Sequence, residues 1–295
     1  MRRTTPWFAR LVGMLALAAL PPTHALAAQA TPAMWEVSDS DSKLYLFGSI
    51  HALPAGVEWR TPIFDAALNG APEVYFETDI GPLGLTALTF KMIGAAIQSA
   101  RSPWIWRLTS HQQDELTTAI EPLGLTLDQA DRMPPLLIAM QVAMQSDGAD
   151  GKIDTTEMTN GVDWTLQWSL PKERKAYLET PGQQFDLLAG DPIEVQVAGL
   201  INVIETTDVS GPTLAGITTA WEAGDVDALV AQPSGDDEDT KRLLYDRNRN
   251  WIPKLEQLLK DNQEDLIVVG AAHLAGPGSV LDLLAKDGFT VTRIQ

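Results

Sequence analysis

The sequence predicts an α/β fold: a mixed central sheet built from two related half-sheets, flanked by helices, with a helical insertion in the middle. Short apolar runs of β type alternate with longer stretches that carry apolar residues at three- and four-residue intervals, as in mixed α/β domains. Two short strand-end patterns each occur twice, which indicates the two halves. At 295 residues and 45% hydrophobic content, the chain is long enough to bury a sizeable core.

Five short apolar runs are predicted to form strands, at 43–49, 73–78, 175–180, 266–269 and 289–294. Helical spacing predicts helices at 62–68, 85–100, 112–120, 135–145, 161–168, 193–205, 214–223, 240–251, 252–259 and 280–285. The helical insertion covers about 83–168 and contains a polar, glycine-containing loop at 146–151. An acidic segment at 232–239 is predicted to be a linker or exposed loop.

The first 27 residues are predicted to be a signal peptide. Three arginines form a basic region around the start of an apolar run at 11–20, and Ala25 and Ala27 are small residues at the cleavage positions. An apolar run this short cannot cross about 30 Å of hydrocarbon, so we expect cleavage near Ala27 rather than a membrane anchor. Residues 28–295 are then expected to form one domain, periplasmic or secreted, without stable membrane insertion.

Composition excludes several classes of function. The chain has no cysteine, so it has no disulfides, thiolate metal site, iron–sulfur cluster or cysteine nucleophile. Its formal charge is −18, and removal of residues 1–27, which contain three arginines and no acid, makes it −21. Such an anionic surface repels phosphate backbones, so nucleic-acid binding is not expected.

The repeated patterns place one imidazole and one carboxylate at strand ends in each half. Gly-x-x-His ends at His51 and at His273, and Tyr-apolar-Glu-Thr supplies Glu77 and Glu179 in mirrored order. Ligands bind at the carboxyl ends of strands in open α/β sheets, so we expect the two histidines to face one another across a cleft with a carboxylate between them. Each motif glycine is expected to allow a tight exit or a positive φ angle.

Two imidazoles with one carboxylate are a common minimal set for a divalent metal. Such a metal lowers the pKa of bound water towards about 7 and polarises a carbonyl, which favours hydrolysis. We predict His51, Glu77 and His273 as ligands, with Glu77 preferred because its strand follows closely after His51. Glu179 is predicted to act as a second ligand, a general base or the partner that fixes an imidazole tautomer.

Simpler interpretations of these residues stay open. A strand-end histidine can be structural, and Glu77 and Glu179 can cap the helices that follow them. Arg247 and Trp251 share a helix face at i and i+4, which could bury a guanidinium or aim it at a substrate oxyanion; the alternative is a solvated basic patch. His111 precedes a predicted helix and is left out of the site.

The joint order of these motifs resembles the TraB/GumN family, which includes the Tiki metalloproteases and is distantly similar to erythromycin-esterase-like and haem-binding ChaN-like proteins. The resemblance runs from about Leu44 to the C-terminus. Its motifs are 48–51 (GSIH), 74–79 (VYFETD), 161–163 (GVD), 177–184 (YLETPGQQ), the Arg-Asn-x-x-Trp of 247–251, and 270–276 (GAAHLAG).

The resemblance implies an α/β fold with a helical insertion and, in the Tiki branch, a manganese- or cobalt-dependent peptidase acting outside the cell. Carried over onto the matching positions, it implies His51, Glu77 and His273 as the metal site, with Arg247 as electrostatic support and Glu179 as assistant. Zinc or iron would also suit these ligands.

We therefore expect a metal-dependent hydrolase of the cell envelope, most concretely a Tiki-like metallopeptidase that acts on a peptide or small-molecule substrate. A non-enzymatic protein that binds haem, metal or a peptide through the two histidines is a second interpretation. A metal-free esterase with His51 as general base is a third. The sequence leaves the oligomeric state open.

Overall fold

The computed structural model describes residues 29–145, 155–206, 214–230 and 241–295. The predicted signal peptide, the loop at 146–151 and the acidic segment at 232–239 lie outside the described residues. Within the described ranges, no helix combines the length and the apolar character needed to cross a membrane.

A six-stranded mixed sheet forms the centre of the described molecule. In chain order the strands are β1 (Met34–Ser38), β2 (Lys43–Ser49), β3 (Val74–Phe76), β4 (Lys175–Tyr177), β5 (Leu266–Gly270) and β6 (Thr290–Arg293). Their spatial order is β4-β3-β5-β2-β1-β6. The four strands from β4 to β2 run parallel, whereas β1 is antiparallel to both β2 and β6. The carboxyl ends of the four parallel strands therefore lie side by side.

The predicted α/β fold with a mixed sheet and flanking helices is confirmed. The strands of the two halves interleave, because β5 from the second half lies between β3 and β2 from the first. Strand β1 was not predicted. It enters the sheet through a hairpin whose turn is closed by Asp39, since this carboxylate accepts from the backbone N–H groups of Asp41 and Ser42.

Thirteen α-helices occur in the described residues. They are α1 (Pro62–Gly70), α2 (Pro82–Arg101), α3 (Ser110–Ile120), α4 (Leu127–Ala130), α5 (Pro135–Gln145), α6 (Thr155–Asn160), α7 (Val162–Ser169), α8 (Pro181–Ala189), α9 (Ile193–Thr206), α10 (Leu214–Glu222), α11 (Val226–Val230), α12 (Arg247–Lys260) and α13 (Val280–Lys286). The segments predicted at 240–251 and 252–259 form one helix, α12, which follows a π-helical turn, Lys241–Asp246. The short helices α4, α6, α8 and α11 were not predicted.

Helices cover both faces of the sheet. On one face, Leu255 of α12 and Leu284 of α13 belong to a core shared with β1, β2 and β5. On the other face, Phe64 of α1 and Leu166 of α7 share a core with Phe47 of β2. Each such buried side chain contributes about 1.5–3 kcal/mol relative to exposure, so α7 and α12 are held firmly against the sheet. These two helices carry residues of the candidate site.

A third apolar cluster lies in a separate helical layer. It includes Trp104, Leu116 of α3, Ile138 of α5 and Leu200 of α9. Helix α3 begins with a capping box in which the Thr109 side chain accepts from the next turn. The layer is formed mainly by helices between β3 and β4, but its core also contains α9, which follows β4.

Candidate functional site

The register of the parallel strands brings their carboxyl ends to the same level. Phe76 of β3 is the partner of both Val268 of β5 and Tyr177 of β4, and Val268 is also the partner of Phe47 of β2. The predicted site residues follow these strands: His51 after β2, Glu77 after β3, Glu179 after β4 and His273 after β5. Four distant segments of the chain therefore meet at one edge of the sheet.

Three of these strand-end residues and Arg247 line one cavity of about 370 Å³. The three are His51, Glu77 and His273. Arg247 also lines a second cavity of about 490 Å³, together with Glu179. The expectation that both histidines reach a shared cleft beside a carboxylate is met by these lining residues.

His273 is held as a neutral imidazole. Its Nδ1 lies 2.6 Å from Oδ1 of Asn248, and Nδ2 of the same amide donates to the Gly278 carbonyl at 2.9 Å. The amide orientation makes Nδ1 of His273 the donor, so Nε2 accepts from Nη1 of Arg247 at 3.1 Å. Burial lowers the pKa of His273 to about 4, which keeps the ring uncharged at neutral pH.

Arg247 is a buried cation with four acceptor groups, and the residue is only 9% exposed. Nε and Nη2 donate to the two oxygens of Glu179 at 2.8 and 3.0 Å, which is a bidentate contact. Nη2 also donates to Oε2 of Glu77 at 2.5 Å. Cζ lies 5.0 Å from the ring centroid of Trp251, whose indole N–H donates to Glu179 at 3.0 Å. The predicted helix face buries a guanidinium and is not a solvated patch.

Glu77 is a buried carboxylate that stays ionised. Its Oε1 accepts from the backbone N–H of Gly270 at 2.7 Å, and its Oε2 accepts from Arg247. Burial raises the pKa of Glu77, but His273 and Arg247 lower it to about 2. Because His273 is neutral at pH 7, we assign the stabilisation of this anion to Arg247.

His51 lies at the rim of the site, with 67% of its side chain exposed. Its Nδ1 is 2.9 Å from Oδ2 of Asp163, and the Ser49 hydroxyl donates to Oδ1 of the same carboxylate at 3.1 Å. Asp163 raises the pKa of His51, although solvent weakens the effect at so exposed a ring. The contact orients the imidazole and leaves Nε2 as its available nitrogen.

The glycines of the two Gly-x-x-His motifs provide space. A Cβ on Gly48 would lie 3.0 Å from Cα of Ala271, and a Cβ on Gly270 would lie 3.1 Å from Oε1 of Glu77. Neither glycine has a positive φ angle, so of the two expected alternatives the positive φ angle is wrong. The close approach of β2, β3 and the turn after β5 is the reason these positions need glycine.

The alternative of helix caps is wrong for both glutamates. Thr180 caps α8, since its Oγ1 accepts from the Gln183 backbone while the Gln183 side chain accepts from the Thr180 N–H. Glu179 is thereby free to bind Arg247. The N-cap of α2 is Gly81, so Glu77 caps no helix.

Sequence reasoning missed the two residues that hold the histidines, Asp163 and Asn248. Both occur in motifs that carry the family resemblance, Gly-Val-Asp at 161–163 and Arg-Asn-x-x-Trp at 247–251, and their place in those motifs was the available signal. His111, excluded from the site, lies on α3 with 83% of its side chain exposed and near Glu115.

Among the described residues, no three His, Asp or Glu side chains are arranged to hold a metal ion. At the strand ends, the guanidinium of Arg247 donates to Nε2 of His273 and to Oε2 of Glu77, two of the side chains predicted as metal ligands. The metal ligands and the assisting roles of Glu179 and Arg247 stay predictions.

Two imidazoles, two carboxylates and a guanidinium gathered at the carboxyl ends of parallel strands define an α/β protein with a polar candidate site at its sheet edge. The sequence matches the profile of the TraB/PrgY/gumN family over residues 33–293, and the chain belongs to this family. No curated protein and no solved structure matches the chain significantly.

Proposed function

We propose that the chain is a metal-dependent hydrolase of the cell envelope, most concretely a Tiki-like metallopeptidase. The observation that carries this proposal is the orientation of the two imidazoles. Each has Nδ1 beside an oxygen, Oδ1 of Asn248 or Oδ2 of Asp163, so Nε2 is the nitrogen that could bind a cation, although Nε2 of His273 now accepts from Arg247. Metal-binding histidines have this arrangement, since the oxygen fixes both tautomer and ring direction.

The donor set suits a divalent cation, with nitrogen from His51 and His273 and oxygen from Glu77. Manganese or cobalt is proposed, and zinc or iron would use the same donors. A cation of this kind would lower the pKa of water and polarise a carbonyl. Arg247 competes for the same atoms, so loading requires its guanidinium to leave His273 and Glu77.

Glu179 is proposed to position Arg247. Both of its oxygens accept from the guanidinium, and one also accepts from Trp251, so most of its hydrogen-bonding capacity is used to hold these two side chains. An Arg247 that leaves Glu77 would keep this bidentate support and could donate to a substrate oxyanion. This role differs from a general base, which needs an uncommitted carboxylate.

A peptide or small molecule is the proposed substrate, and the periplasm or the extracellular space is the proposed location. The formal charge of −21 after removal of residues 1–27 supports a substrate other than nucleic acid.

The test is elemental analysis of the exported protein, purified without a metal-affinity column. We expect about one divalent metal per chain, with both metal and peptide hydrolysis lost in His51→Ala and His273→Ala. His111→Ala removes an exposed imidazole outside the site and serves as the matched control. A metal-free protein that binds no added Mn²⁺ or Co²⁺ would refute the proposal.

A metal-free hydrolase is a second candidate, favoured by the Ser49–Asp163–His51 chain of hydrogen bonds. A carboxylate that orients an imidazole is the arrangement of a general base. The raised pKa of His51 opposes this role and metal binding alike at neutral pH, because a protonated ring can neither accept a proton nor bind a cation. Activity that survives exhaustive chelation, with an alkaline optimum, would favour this candidate.

A further inference from the structure

The cavity that holds His51 and His273 is lined by apolar side chains as well as by the polar cluster, and these apolar side chains form its apolar wall. We propose that this wall selects a substrate with an uncharged aliphatic or aromatic group beside the cleaved bond. The inference rests on the proposed function for its catalytic part, but the selectivity for the group can be measured by binding alone. The apolar side chains of the wall are Ile217 and Trp221 of α10, Leu229 of α11, Leu244 of the π-helical turn, and Ala275 with Pro277.

Few of the described residues that line this cavity carry an ionisable group. Of the described lining residues, those that carry an ionisable group other than the Tyr245 phenol are the strand-end cluster and its arginine: His51, Glu77, Arg247 and His273. A charged group directed to the wall would lose water without gaining a partner, which is costly. An apolar group would gain free energy from the same burial.

A hydrogen bond joins the apolar wall to strand β2. The indole N–H of Trp221 donates to the Gly48 carbonyl at 2.7 Å, and Gly48 begins the Gly-x-x-His motif that ends at His51. Trp221 is buried, whereas Ile217 and Leu229 are half-buried and so present part of their surface to the cavity. A cavity of about 370 Å³ lies at the small end of ligand pockets, ~300–1,000 Å³, which suits one side chain with its flanking amide.

The second cavity lined by Arg247 differs in character. Its lining includes Glu179, Asp186, Asp191 and Arg242. The two cavities lined by Arg247 therefore differ in polarity, and of these two the cavity with the apolar wall fits the apolar group of a substrate.

The test measures binding to the metal-free protein by ligand-observed NMR. The probes are the N-acetyl methylamides of leucine, phenylalanine, lysine and glutamate. We expect the first two to bind at least about tenfold more tightly than the charged pair. Ile217→Asp should reverse the leucine-to-lysine preference, because it places an anion on the wall. Val195→Asp makes the same kind of change at an exposed aliphatic position on α9, outside the cavity, and should leave the preference unchanged.

Leu229→Ala provides a second variant if Ile217→Asp does not fold, and it should weaken leucine-amide binding by about tenfold without adding a charge. Equal binding of all four probes, preference for a charged probe, or no detectable binding would overturn the inference. In a parallel assay, the metal-loaded protein is given a peptide mixture. Selective binding without cleavage would refute the hydrolase proposal and support the selectivity of the apolar wall. Cleavage without side-chain preference would support the hydrolase proposal and refute the selectivity.

Discussion

Arg247 determines the charge balance of the candidate site. It is the cation beside two carboxylates, Glu77 and Glu179, and it also donates to the neutral His273. Burial lowers the pKa of Arg247, but the two carboxylates raise it by more than burial lowers it. The guanidinium therefore stays charged. Breaking a buried ion pair by removing one partner is far more costly than replacing both, because the remaining charge is uncompensated.

Arg247→Gln is therefore expected to lower the free energy of unfolding by about 3 kcal/mol at pH 7. In the wild-type chain Glu77 has a pKa of about 2, below its ordinary value of 4.5, so its contribution to stability is present above pH 4.5 and is lost as the pH falls towards 2. The deficit of the variant should shrink over the same range. Urea titrations at several pH values measure it.

Arg249→Gln is the matched control, because Arg249 lies on the same helix but is exposed and pairs only locally with Asp246. We expect a change below about 0.5 kcal/mol there. A deficit at Arg247 that is equally small would mean that the two carboxylates do not depend on this guanidinium.

The same Arg247→Gln variant should bind Mn²⁺ at least about tenfold more tightly than the wild-type chain, since a repulsion of only ~1.4 kcal/mol corresponds to a factor of ten. Calorimetric titration of the folded variant measures the change. Weaker binding would indicate that Arg247 supports the cation rather than competing with it.

Asn248→Asp is expected to raise the pKa of His273 from about 4 towards its ordinary value of 6.5. A carboxylate in place of the amide would favour the protonated ring, because it places a negative charge beside Nδ1. Only three histidines follow residue 27, so their Hε1 signals can be followed individually by NMR. The His111 signal serves as the internal reference, and an unchanged titration of His273 would contradict the assigned contact.

The repeated patterns in the sequence were enough to place four residues at strand ends, because each pattern marks an equivalent position in the two halves. These residues are His51, Glu77, Glu179 and His273. It could not find their hydrogen-bond partners. Asp163 lies 112 positions from His51, and only the packing of α7 against the sheet brings the two together. Such a partner is set by tertiary contact, which a short motif does not encode.

At the scale of elements, the start of α7 positions Asp163. The Val162 N–H donates to the Ile50 carbonyl at 3.0 Å, and a Cβ on Gly161 would lie 2.0 Å from the carbonyl oxygen of His51. Helix and strand end can therefore come this close only because residue 161 has no side chain.

Gly161→Ala is expected to destabilise the fold by about 2 kcal/mol or more and to break the contact between Asp163 and His51, since backbone atoms must move to admit the methyl group. Gly199→Ala is the comparison, because Gly199 is inside α9 and an added Cβ meets nothing within 4 Å. That change should stabilise by up to about 1 kcal/mol. Thermal unfolding and the NMR titration of His51 distinguish the cases; similar behaviour of the two variants would refute the steric explanation.

The elements themselves were predicted where periodicity was strong. Helix α5 has the predicted bounds, and β2 coincides with its apolar run. Strand β1 was missed because its five residues give only a short local pattern, and its place depends on pairing with β2 and with β6, which lies at the other end of the described chain. Helix α8 was missed because its N-cap, Thr180, is also the last residue of the predicted strand at 175–180, so the capping signal overlaps the strand pattern.

At the scale of the whole molecule, the N-terminal segment leads us to predict export. Terminal sequencing of the cell-envelope protein should begin near residue 28. Leu15→Arg places a charge within the apolar run and should leave the uncleaved precursor in the cytoplasm. The unmodified chain is the control. Recovery of exported protein that retains residues 1–27 would contradict the prediction.

The position of β5 has a consequence for how the chain reaches its folded state. During synthesis β2 and β3 are complete long before residue 266. In the folded sheet they are not neighbours, because β5, which is synthesised near the end of the chain, lies between them. Closing the long loop between β3 and β5 has a high entropic cost and is slow, so the centre of the sheet forms only after β5 has been synthesised. A product truncated before residue 266 would lack the middle of its sheet, so only a full-length chain can assemble the polar cluster.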